Sequence, residues 1–169
     1  MRCVSKKNSL LQINGLRSDL LLYLIIQMTS AQVLAASQIT IAFSGLYALT
    51  LFNQIVRKKI YHYNGRKTGK TFERYESLEM RPHDRLTANF LEWMPLFLCP
   101  LWVLASTESF TDSCINIAWS YVAVRALYIL LVLQFGVDRS GNNVPLWAAT
   151  FPGYACLTHL LVQSVRAVF

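Results

Sequence analysis

Acidic residues are scarce in this chain. Nine Asp and Glu stand against sixteen Lys and Arg, a net charge of +7 in 169 residues. Such a balance invites a nucleic-acid partner, but the basic residues are placed against that reading. Most of them flank long apolar blocks, where membrane orientation accounts for them. Cysteine and histidine are also few. Cys3, Cys99, Cys114 and Cys156 form no C-x-x-C pair, and His62, His83 and His159 flank none of them at zinc-ligand spacing. No metal site is legible, and the cysteines read as free structural thiols. Repeats and low-complexity tracts are lacking, which removes solenoid and linker-rich architectures. No small-residue cleavage site cleanly follows the short apolar stretch 19–27, which argues against a cleaved signal peptide. The run Gly65-Arg66-Lys67-Thr68-Gly69-Lys70-Thr71 lacks the glycine spacing of a phosphate-binding loop, and no hydrophobic strand precedes it. It reads as a solvated basic loop on the membrane surface, not as an ATP site.

What the chain does have is apolar length. It is 54% hydrophobic, with a mean hydropathy of +0.34. The apolar residues fall in four blocks, about 32–56, 86–106, 115–137 and 144–168, each long enough to cross ~30 Å of hydrocarbon. The expected fold class is an all-α integral membrane bundle of four transmembrane helices. Residues 32–169 form the membrane domain. Residues 1–31 form an N-terminal extension with three open readings: a targeting segment, an interfacial helix, or an extension of the first span. Nine Lys/Arg lie between positions 57 and 85, while the loop between the second and third spans carries Glu108 and Asp112 and no Lys or Arg. The positive-inside rule places the long loop in the cytosol, together with the 138–143 loop. The basic N-terminus opposes this orientation with fewer charges. Pro95, Pro100 and Pro152-Gly153 are expected kinks, and Trp102, Trp119 and Trp147 are candidate interfacial anchors.

Polar residues interrupt the second block. Arg85, Asn89 and Glu92 stand at i, i+4 and i+7 and share one helix face. A carboxylate about two turns inside a membrane helix costs a few kcal/mol, so it needs a partner or a task. Arg125, with Tyr128 close behind it in the third block, is the candidate partner. At 1.5 Å per residue, Asn89 and Glu92 lie ~6 and ~10 Å deeper than Arg85. A Glu92–Arg125 contact therefore needs modest stagger or tilt. One reading is a buried ion pair that fixes helix register. The other is a polar pocket open to the cytosol, lined by Arg85, Asn89, Glu92, Arg125, Tyr128 and Arg139. Arginines take carboxylates, a glutamate holds an ammonium, and Asn and Tyr bond amides. That mixture suits a zwitterionic, peptide-like ligand with more carboxylates than amines.

The string Arg85-x-x-x-Asn89-x-x-Glu92-x-x-Pro95-Leu96-Phe97-Leu98 resembles the signature of the MAPEG family, the membrane-associated proteins in eicosanoid and glutathione metabolism. Ala123-Val124-Arg125-Ala126-Leu127-Tyr128 resembles that family's third-helix Arg-x-x-Tyr element. Arg139, fourteen residues after Arg125, resembles a further family arginine in spacing. The resemblance covers roughly residues 32–169. It implies a homotrimer that binds glutathione between subunits near the cytosolic side of the membrane, with the endoplasmic reticulum or another endomembrane as the expected location and a mitochondrial membrane as the alternative. It assigns Arg85, Asn89, Glu92, Arg125 and Tyr128 to glutathione, with Arg57 or Lys58 contributing from the next subunit. Arg139 is implied beside the sulfur, where a guanidinium lowers the thiol pKa from about 8.5. The implied chemistry is attack of the thiolate on a hydrophobic electrophile, or reduction of a lipid hydroperoxide.

Two positions depart from the family pattern. Thr87 stands where many members carry His or Gln, and Val132 stands where a second tyrosine follows the arginine by one heptad. Val132 faces the way Arg125 does and cannot hydrogen-bond, so a ligand contact is missing there. A rival reading follows: a non-catalytic accessory subunit of a larger membrane complex, with residues 1–31 as its docking element. A third reading, a small transporter or channel subunit using Glu92 and Arg125 as pathway charges, lacks the second buried acid that a proton relay needs.

Overall fold

The computed structural model describes residues 4–69, 73, 77–136 and 144–169, with side chains over 31–69, 73, 77–136 and 145–169. Arg139 lies outside the described residues. Those residues form four helices: α1 (Val4–Lys67), α2 (Arg81–Ser106), α3 (Asp112–Phe135) and α4 (Val144–Val168). Three of them are long and apolar enough to cross a membrane: α1 over Ala31–Lys67, α2 and α3. In α4 the polar residues His159, Gln163, Ser164 and Arg166 dilute an otherwise apolar sequence.

Local sequence sets the helix ends. Thr111 sits just before α3 with extended backbone, and its side chain accepts a hydrogen bond from the Cys114 N–H, an N-cap. At the other end Gly136 has φ +74° and donates its N–H to the Val132 carbonyl. A residue with a Cβ is strained at that φ, so glycine closes the helix. Pro82 lies in the first turn of α2, where its missing N–H costs nothing. Pro95 and Pro100 lie inside α2 and Pro152 inside α4, and each helix continues through them.

Polar contacts fix how α1 lies along the bundle. Gln32 Nε2 donates to the Glu108 carbonyl, 3.2 Å away in the α2–α3 loop. At the other end Asn53 Nδ2 lies 3.0 Å from His83 Nδ1, and Gln54 Nε2 donates to Asp84. These contacts are about 32 Å apart along the helix at 1.5 Å per residue, close to one hydrocarbon thickness. Polar side chains therefore pair at the two edges of the apolar layer, and α1 continues as helix beyond both. The segment at positions 4–31 is helical and continuous with the first span.

Between those edges the core is aromatic. Phe43 of α1 lies 5.3 Å from Phe90 and 4.9 Å from Phe97 of α2, and 6.0 Å from Tyr121 of α3 between ring centres. All four rings are fully buried. Such ring pairs add about 0.5–1.5 kcal/mol each beyond area burial. The outward faces of Ile41, Leu49, Phe52, Leu130 and Leu133 are exposed, as lipid-facing positions are.

The charge asymmetry yields an orientation that can be measured. In a cysteine-free background, Ser113→Cys in sealed vesicles is expected to react with an impermeant maleimide only from the non-cytosolic face, and Lys59→Cys only from the cytosolic face. Reversed labelling overturns the orientation.

Candidate functional site

The polar residues of α2 and α3 meet through Arg125. Its position is set by the helix itself: a long helical side chain points back toward the N-terminus of its own helix, and one turn back stands Tyr121. Arg125 Nε donates to the Tyr121 hydroxyl at 2.8 Å, and Nη1 donates to Asn89 Oδ1 at 2.8 Å across to α2. Three aromatic rings surround the guanidinium. Its carbon lies 5.0 Å from the centre of Tyr121, 5.4 Å from Trp93 and 6.0 Å from Tyr128, all within cation–π range. Arg125 is only 7% exposed. A cation in the apolar layer is thus held by two neutral acceptors and three π faces.

The expected ion pair is not what holds it. Glu92 is exposed on the surface of the single chain, and among the described residues it forms no ion pair or hydrogen bond. It does lie within electrostatic reach of the Tyr128 hydroxyl, as do Arg85 and Arg125. The seven-residue offset carries Glu92 past the cleft and outward, whereas Asn89 faces inward.

A cleft of about 220 Å³ opens beside Arg125. Arg85, Asn89 and Trp93 of α2, Arg125 and Tyr128 of α3, and Trp147, Thr150 and Tyr154 of α4 line it, with Leu146, Ala149 and Gly153. Four of the sequence-derived residues, Arg85, Asn89, Arg125 and Tyr128, therefore share one cavity. Glu92, Arg57 and Lys58 do not line it. Within the single chain Arg57 lies within electrostatic reach of His83, at the α1–α2 contact. The α4 wall was not foreseen: Trp147, Thr150 and Tyr154 are uncharged and carry no motif. Tyr121 was also missed, although its spacing of four residues before Arg125 is a usable signal.

An apolar groove of about 280 Å³ adjoins the cleft between α2 and α4, lined by Leu96, Leu157, Thr158 and Leu161. Trp93 and Tyr154, whose ring centres are 4.9 Å apart, border both spaces. A polar compartment and an apolar one thus share an aromatic partition.

Residues 33–163 match the MAPEG family. The chain belongs to the MAPEG family. No curated protein and no solved structure matches it. It is a multi-pass membrane protein of a family associated with glutathione and eicosanoid metabolism. Its two departures now have locations. Thr87 of this MAPEG chain is buried, and its hydroxyl donates to the His83 carbonyl of its own helix. Val132 is fully buried among core residues and is not part of the cleft wall. The side chain at 132 therefore packs the bundle of the single chain, which corrects the expectation that it faces the ligand space beside Arg125.

Proposed function

We propose that this MAPEG protein is a glutathione-dependent transferase or peroxidase acting on hydrophobic electrophiles or lipid hydroperoxides that reach it through the bilayer. The observation that carries this reading is the cleft: two guanidiniums, Arg85 and Arg125, with the amide of Asn89 and the hydroxyls of Tyr128 and Thr150, in one cavity beside an apolar groove. Two cations suit a ligand with two carboxylates, and amide and hydroxyl groups suit its peptide bonds. The adjoining groove offers the hydrophobic substrate a place within reach of the same partition.

The active assembly in this reading is a homotrimer of four-span subunits, with α4 as the fourth span, in the endoplasmic reticulum or another endomembrane. Glu92 supports oligomerisation physically. An exposed carboxylate within the apolar layer costs a few kcal/mol against lipid, so a neighbouring subunit and a bound ligand's ammonium are its natural cover. Arg57 or Lys58 of that neighbour then completes the anion-binding set, and Arg139 stands beside the sulfur.

The accessory-subunit reading keeps one observation in its favour: Glu92, the acceptor for an ammonium, is outside the cleft of the single chain. The helical segment at positions 4–31 would be its docking element. Calorimetry separates the two. Glutathione is expected to bind the detergent-solubilised, trimeric protein with a submillimolar to low-millimolar Kd and to raise its unfolding temperature. No binding at several millimolar glutathione, by protein that native mass spectrometry shows to be a folded homotrimer, sinks the enzyme. A monomer, or a complex with another chain, favours the accessory subunit.

A further inference from the structure

We propose that Tyr121 is a positioning residue that turns Arg125 into a receptor for an anionic group of the ligand. The inference rests on the proposed glutathione site. Arginine has five N–H donors in a rigid plane. Tyr121 takes Nε, and Asn89 takes one donor of Nη1, both at 2.8 Å. With Nε engaged, the side-on fork made by Nε and Nη2 is closed to a carboxylate. The remaining donors lie on the Nη edge, and Arg125 lines the cleft. A carboxylate entering there meets that edge.

Two features make Tyr121 a fixed support. Its ring is fully buried, packed at 4.4 Å between centres against Phe97 and at 6.0 Å against Phe43. On its far side α4 passes closely: a Cβ at Gly153 would stand 3.9 Å from Tyr121 Cε2. The phenol can neither swing toward lipid nor follow a moving guanidinium. Arg125, by contrast, carries four rotatable side-chain bonds, and immobilising such a chain on binding costs about 0.5–1.5 kcal/mol. Tyr121 and Asn89 meet that cost during folding. The arginine is therefore anchored from one turn before it on its own helix, and Val132, two turns after it, is free to serve the core.

The test is Tyr121→Phe, which keeps the ring and its packing and removes only the hydroxyl. The probes are glutathione and glutathione diethyl ester, whose carboxylates are masked. The variant is expected to fold as the parent does and to bind glutathione about tenfold more weakly, the upper end of the cost of immobilising Arg125 on binding. Its affinity for the diester is expected to stay within twofold of the parent's. Equal weakening toward both probes overturns the proposal, since that is the mark of a general loss of packing. A second readout needs no ligand: with isotopically labelled arginine, the Arg125 Nε–H is expected to exchange with water about tenfold faster in the variant. Unchanged exchange overturns the proposal too. If the parent protein binds no glutathione, the functional reading fails, and the exchange rate alone decides whether Tyr121 holds Arg125.

Discussion

Arg125→Met is expected to weaken glutathione binding about a hundredfold while the protein still assembles. Charge-assisted hydrogen bonds contribute about 1.5–3 kcal/mol each, so losing a bidentate contact with a ligand carboxylate removes ~3 kcal/mol, two decades of affinity. The effect on stability is smaller because opposing terms meet at this site. Removing the guanidinium leaves the Asn89 carbonyl and the Tyr121 hydroxyl without their donor, about 1–3 kcal/mol for each buried group left unpaired. Against that, the folded state no longer holds a nearly buried cation, and the thioether fills much of the same volume. A net loss of ~2 kcal/mol lowers an unfolding midpoint by about 4–8 °C in a chain of this size. Calorimetry and thermal unfolding on one preparation check both numbers. Full affinity in Arg125→Met removes Arg125 from the ligand site; a protein that cannot be extracted in folded form shows that the residue is a structural core element first.

The helices were legible because hydropathy reports what each segment faces. Apolar blocks near positions 32, 86 and 115 begin close to where the three membrane-length apolar helices lie, and the block near 144 begins with α4. The length of α1 was not legible in the same way. Ser18, Asp19, Thr29, Ser30 and Gln32 interrupt the apolar pattern, but a helix needs only its own i to i−4 hydrogen bonds to continue, and polar side chains do not stop it. At the site, the face shared by Arg85 and Asn89 could be read from spacing. The partner of Arg125 could not. Opposite charge favours Glu92, yet lateral pairing depends on helix rotation and stagger, and these bring the neutral Asn89 to the guanidinium. Val132 shows the other limit of spacing. Seven residues return almost to the same face, but also advance ~10 Å along the axis, which carries the side chain out of the cleft and into the core. The α4 wall carries no charge and no spacing rule, so only the fold brings Thr150 and Tyr154 to Arg125.

Arg139→Leu is expected to separate ligand binding from chemistry. In the proposed enzyme its guanidinium stands beside the glutathione sulfur, and the carboxylate contacts at Arg85 and Arg125 remain in place. Glutathione affinity should therefore stay within about threefold, while the ultraviolet absorbance of bound thiolate disappears. A free thiol titrates near 8.5, and only a few per cent is thiolate at neutral pH. Each pKa unit of depression that the charge supplied is worth ~1.4 kcal/mol, so two units lost reduce the thiolate fraction at pH 7 more than tenfold, and turnover with it. The sign of the pH dependence follows. Without the cation the thiol pKa rises toward its free value, so the rising limb of the turnover profile should move to higher pH, and the variant should recover much of its rate near pH 9. Arg139→Lys restores the charge without the planar fork and should return most of the thiolate signal. A leucine variant that keeps the parent's thiolate absorbance and pH profile assigns thiol activation to another group. One that loses glutathione affinity and thiolate together makes Arg139 a binding residue.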